Sequence, residues 1–100
     1  MMIADMIPER VAYTQLAEEC TELAHAALKL GRFADEKQAY TMGDADRERW
    51  IGNLYEEIAD VLVCIDAVKM FLPFGAKLMI EDIMKHKAER WRERLKGGKG

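Results

Sequence analysis

Apolar positions recur at helical spacing in three stretches of this chain, separated by two breaks made of turn-forming residues. The first stretch opens at Pro8, a residue suited to the first helical turn, with Glu9 favourable at the positive end. It predicts a helix over residues 8–30 with a core stripe of Leu16, Cys20, Leu23, Ala27 and Leu30, stopped by a left-handed cap at Gly31. Residues 31–46 hold no sustained period and include Gly43, Asp44 and Asp46, which predicts a loop with room for one short helical turn. A second helix is expected to begin between residues 44 and 48 and to run to about 72. Leu54, Ile58, Val61, Leu62, Ile65, Val68 and Leu72 form one apolar face, and Val63, Ala67 and Met70 form another. Pro73, Phe74 and Gly75 break it. A third helix follows over about 76–95, with Leu78, Ile80, Ile83, Met84, Trp91 and Leu95 as its apolar set, and then a flexible tail over 96–100.

A helix apolar on two sides is usually buried on two sides. One hundred residues make a single domain, residues 1–100 with a core over about 8–95, and three helices of this length expose more apolar surface than such a chain covers alone. The expected fold is therefore all-α: a bundle of three long helices completed by homo-oligomerisation, as a dimer or a tetramer. There are no internal repeats.

Composition narrows the class. The chain is 50% hydrophobic and 33% charged, with 7 Gly and 2 Pro, which suits a soluble helical protein. A net charge of −3 argues against a nucleic-acid partner, which wants a basic face. The apolar run 58–72 is interrupted by Asp60, Asp66 and Lys69 and is too short to span a bilayer. Residues 1–6 lack a basic start and contain Asp5, so no secretory leader is expected and the cytoplasm is the expected compartment. Cys20 and Cys64 read as small buried hydrophobes in a reducing setting.

The chemistry lies in two acidic clusters, Glu18-Glu19-Cys20-Thr21-Glu22 and Glu57-Ile58-Ala59-Asp60. Spacings of three residues put the members of each pair on one side of a helix. A turn between the two helices allows an antiparallel return, so four carboxylates can reach one point. Carboxylates at a core border are costly unless a positive group meets them. An all-oxygen set suits Mg²⁺ or Mn²⁺ and suits zinc poorly. Either cluster alone also fits a solvated acidic face.

Together, EExxE on one helix and ExxD on the next resemble the MazG-like nucleotide pyrophosphohydrolases, the all-α NTP pyrophosphatase superfamily. The resemblance covers about residues 10–95, and the interval 23–56 looks long for the family, which suggests an extended loop. It implies Mg²⁺-dependent hydrolysis of (deoxy)nucleoside triphosphates to the monophosphate and pyrophosphate. It also implies Glu19, Glu22, Glu57 and Asp60 as metal ligands. Glu18 would be a further acid, holding a second metal or orienting the attacking water beside Glu19 and Glu22. Basic residues late in the last helix would meet the triphosphate, which points to Lys87 and Arg90.

Rotation about the first helix independently favours Glu19 and Glu22 over Glu18 as ligands, because they lie nearer the packed side. Asn53, one turn before Glu57, could bond ribose, base or water, or simply be a surface amide. Lys29 shares a side with Glu18, Glu22 and His25 and could reach a phosphate, or could serve only as a helix-end cation. Trp50, Trp91, Tyr13 and Phe33 could stack on a base, though aromatics at this spacing more often build core. His25 and His86 have no triad partners.

Two other functions are compatible with these residues. One is a non-catalytic helical module that binds metal, nucleotide or partner helices. The other is an iron or manganese carboxylate bundle, which wants paired Glu-x-x-His motifs; only Glu22-Leu23-Ala24-His25 matches.

Overall fold

A computed structural model describes residues 1–34 and 44–97. Its described elements are a short 3-10 turn (Ile3–Asp5) and three long helices: α1 (Glu9–Ala34), α2 (Asp44–Lys69) and α3 (Ala76–Lys96). No strand occurs among the described residues. Of the loop expected over 31–46, residues 31–34 and 44–46 are instead helical; residues 35–43, the tail beyond Gly97 and the side chains of Phe33 and Asp44 lie outside the described residues.

Helix α1 starts immediately after Pro8, whose carbonyl accepts the amides of Val11 and Ala12. Gly31 does not cap it. The helix continues to Ala34, because an interior glycine costs only about 1 kcal/mol and this one keeps right-handed geometry. At the far end, α2 closes three residues earlier than its apolar pattern suggests. The amides of Met70, Phe71 and Leu72 bond the carbonyls three residues back, which tightens the chain into turns before Pro73. Gly75 then takes φ 91°, a conformation open to glycine at little cost, and α3 begins.

Helices α1 and α2 pack along their length as an antiparallel pair. Lys29 lies at Trp50, Glu19 at Glu57, and Ala12 beside Cys64 and Ala67. The seam is narrower than expected and turned. On α1 the covered positions are Val11, Ala12, Leu16, Glu19, Leu23, Ala26 and Leu30; on α2 they include Trp50, Leu54, Glu57, Val61, Cys64, Ala67 and Val68. Each set contains a series in alternating steps of four and three, the spacing of a coiled-coil seam, with further covered positions beside it. Cys20 and Ala27, expected inside, are exposed, as are Ile58 and Leu62. Turning the seam brings one glutamate of each helix into its middle.

The deepest positions are small or β-branched: Ala12 is 2% exposed, and Val61 and Ala67 are each 7%. Ala12 and Ala67 also line a cavity of about 270 Å³ together with Ile7, Val11 and Cys64. Helix α3 has no buried residue and touches the pair only sparsely. Its apolar side chains face outward, with Leu78 72%, Trp91 63% and Leu95 68% exposed. The radius of gyration is 17.6 Å, against about 13 Å for a compact chain of this length.

Candidate metal centre and adjoining cavity

The turned seam carries Glu19 and Glu57 toward each other at mid-length of α1 and α2, and Asp60, one turn beyond Glu57, completes a three-carboxylate group. One oxygen from each lies within 4.8 Å of the others. Glu19 and Glu57 are half-buried and Asp60 is exposed, so the group opens to solvent on one side.

Electrostatics mark two of the three, Glu19 and Glu57. Desolvation, then the carboxylates of Asp60, Glu57 and Glu22, push the Glu19 carboxyl above its ordinary range, and a hydrogen bond shared with Asp60 adds to the shift. Glu57 is raised by desolvation first and then by Asp60, Glu22 and Glu56. One Glu57 carboxylate oxygen is fully covered and has no hydrogen-bond partner. A buried carboxylate oxygen without a donor is unfavourable, and a proton, a water or a cation would each relieve it. The donor set is all oxygen and includes no imidazole or thiolate, which fits Mg²⁺ or Mn²⁺.

Glu22 stands outside the 4.8 Å group, yet it is near enough to act on both Glu19 and Glu57. It also lines the cavity that adjoins the group. This cavity, about 290 Å³, runs between α1 and α2 and is walled by Glu22, His25, Lys29, Trp50, Asn53 and Glu57. Its acidic end shares Glu57 with the carboxylate group. At its other end the Lys29 ammonium sits 5.4 Å from the centroid of the Trp50 ring.

The sequence-derived site residues therefore divide. Glu19, Glu22, Glu57 and Asp60 come together, and Lys29 and Asn53 line the adjoining cavity. Glu18 is exposed on α1, about 100° around the helix from Glu19, and is not in the three-carboxylate group. Lys87 and Arg90 are exposed on α3 and line no part of the cavity, because α3 leaves the pair after Gly75. Sequence reasoning set aside His25 and favoured core packing for Trp50, yet both face the cavity. The available signal was phase: Trp50 lies seven residues before Glu57, and His25 three after Glu22.

Cys64 sits one turn beyond Asp60, and burial, followed by Glu19, Asp60 and Cys20, pushes its thiol up. Both cysteines are free. No described helix is long and apolar enough to cross a membrane. No protein-family model, curated protein or solved structure matches this chain.

Proposed function

We propose that this protein is a Mg²⁺-dependent nucleoside triphosphate pyrophosphohydrolase of the MazG-like kind, acting in the cytoplasm. The observation that carries the reading is the meeting of Glu19, Glu57 and Asp60 from two helices around an unpartnered Glu57 oxygen, beside a cavity with an aromatic face and a lysine.

Glu19, Glu57 and Asp60 would hold the metal, with Glu22, one turn along α1, as the fourth oxygen donor. A bound Mg²⁺ would supply charge neutralisation for the phosphate oxygens and a lower pKa for the attacking water. Water adds to the α-phosphorus, the bond to the bridging oxygen of the β-phosphate breaks, and pyrophosphate leaves. Such transfers depend on charge and alignment more than on covalent help from the protein. The exposed carboxylate of Glu18 is available as a further acid for the attacking water.

The active form in this reading is a homo-oligomer, a dimer or a tetramer. The chain exposes 8400 Å², while a compact monomer of 11.5 kDa exposes about 5800 Å². The excess matches what a subunit buries in an obligate interface, and the outward apolar side chains of α3 supply the surface for it. Packing α3 against another copy is also the route by which Lys87 and Arg90 would reach a triphosphate.

The test is a panel of ribo- and deoxyribonucleoside triphosphates at saturating Mg²⁺, scored for pyrophosphate and for orthophosphate. Pyrophosphate with the nucleoside monophosphate is the expected product pair. If every triphosphate survives intact while nucleotide still binds, the protein is a binding module and the hydrolase reading fails.

A further inference from the structure

Two facts about the cavity go beyond metal-dependent hydrolysis. Lys29 and Trp50 close the cavity at the end away from the carboxylates, and the lysine ammonium already occupies the indole face at 5.4 Å. Seven residues separate Lys29 from Glu22 and Trp50 from Glu57, so about 10 Å of helix lies between the two ends. Asn53 sits between them, one turn from Glu57 and one from Trp50. A nucleotide laid along this cavity has its base at Trp50, its sugar at Asn53 and its phosphates toward Glu22 and Glu57.

We propose that the Trp50 face is shared between the Lys29 ammonium and an incoming nucleobase, so that seating the base releases Lys29 to meet the phosphates. This rests on the nucleotide reading above. An exposed cation–π contact is weak, whereas a base stacked on an aromatic ring gains more and needs no particular base edge. Displacement therefore runs toward the base. The freed ammonium is a compact charge on a flexible four-carbon stem, the only lysine or arginine among the described residues lining this cavity, and the arriving phosphates give it a better partner than the ring. Lys29 would then play opposite parts for two classes of ligand. It competes with an uncharged nucleoside and assists a nucleotide.

That opposition gives the experiment its sign. Trp91 is on α3 and does not line the cavity, so a Trp91→Phe background leaves Trp50 as the single indole. In that background, with chelator present so that no hydrolysis occurs, Trp50 fluorescence is titrated with adenosine and with adenosine 5′-monophosphate, and again after Lys29→Met. Both ligands are expected to change the emission saturably, while ribose 5-phosphate does not. Lys29→Met is expected to tighten adenosine about two- to fivefold, the strength of an exposed cation–π contact, and to weaken the monophosphate severalfold. Far-ultraviolet circular dichroism checks that the variant is folded.

An unchanged or weakened adenosine affinity in Lys29→Met overturns the exchange, as does an emission change equally large with ribose 5-phosphate. The readout is binding without turnover. Loss of the exchange in a protein that releases pyrophosphate sinks this inference alone, and the exchange in a protein that never releases pyrophosphate sinks the hydrolase alone.

Discussion

Glu19 on α1 and Asp60 on α2 bring a carboxylate oxygen each within 4.8 Å across the helix pair, with Glu57 as the third member of the group. Without a cation, the fold brings together groups that repel once ionised. The raised carboxyls of Glu19 and Glu57 record that cost. Protonation at low pH relieves it, and in the proposed reading a divalent ion does so at neutral pH.

The pH dependence follows with a definite sign. A carboxyl raised in the folded state holds its proton after the unfolded chain has released it, so stability falls as pH rises. For Glu19 and Glu57 the loss starts in the ordinary glutamate range and ends above their raised folded values. Thermal melts of chelator-treated protein should show the midpoint falling across that window. Saturating Mg²⁺ should reverse the loss, adding about 2.7 kcal/mol at a hundred times its Kd. A midpoint that is flat with pH and blind to Mg²⁺ would contradict the site.

Removing one acid separates charge from shape. Glu22→Gln and Asp60→Asn should each lower pyrophosphate release by about a hundredfold or more with helix content unchanged. Asp60→Asn should also stabilise the metal-free protein, since it removes a repelling charge from Glu19 and Glu57. Activity assays paired with circular dichroism and metal-free melts read both effects.

Glu18→Gln makes a contrast. Its exposed carboxylate lies outside the three-acid group, so Mg²⁺ affinity by calorimetry should stay within about threefold. Any effect should fall on kcat. A large loss of metal affinity would mean that Glu18 is itself a ligand.

Ala12 tests the packing that makes the site. At 2% exposure Ala12 is well covered, and Ala12→Leu should cost about 1–3 kcal/mol in urea unfolding through overpacking against α2, beyond what the adjoining cavity of about 270 Å³ relieves. The same shift in helix spacing should weaken Mg²⁺ binding, although Ala12 lies two turns from Glu19.

Helix α3 offers the test of assembly. Ile83→Asp and Leu78→Asp change outward-facing positions and should alter a monomer by no more than about 0.5 kcal/mol. In an oligomer that buries α3, they should instead reduce the mass seen by light scattering to that of one chain and abolish activity. A wild-type mass of 11.5 kDa would refute assembly.

Much of this protein is legible along the chain. Helical periodicity announces three helices, and Pro73 with Gly75 marks the break before the last, because proline and a left-handed glycine act locally. The two acidic motifs are local as well, since i, i+3 spacing on a helix needs no tertiary information. Helix ends were less secure: Gly31 is only mildly unfavourable inside a helix, and α1 ran through it.

The facing of the seam was a tertiary decision. Periodicity put Cys20 and Ala27 on the core stripe of α1 and Ile58 on that of α2, with Glu19 and Glu57 at its border. Packing chose a rotation that buries Ala12 and Ala67. That choice turned Glu19 and Glu57 inward and put Trp50 opposite Lys29. The departure of α3, and with it the distance of Lys87 and Arg90 from the cavity, likewise depends on contacts between elements far apart in the chain, which no local spacing encodes.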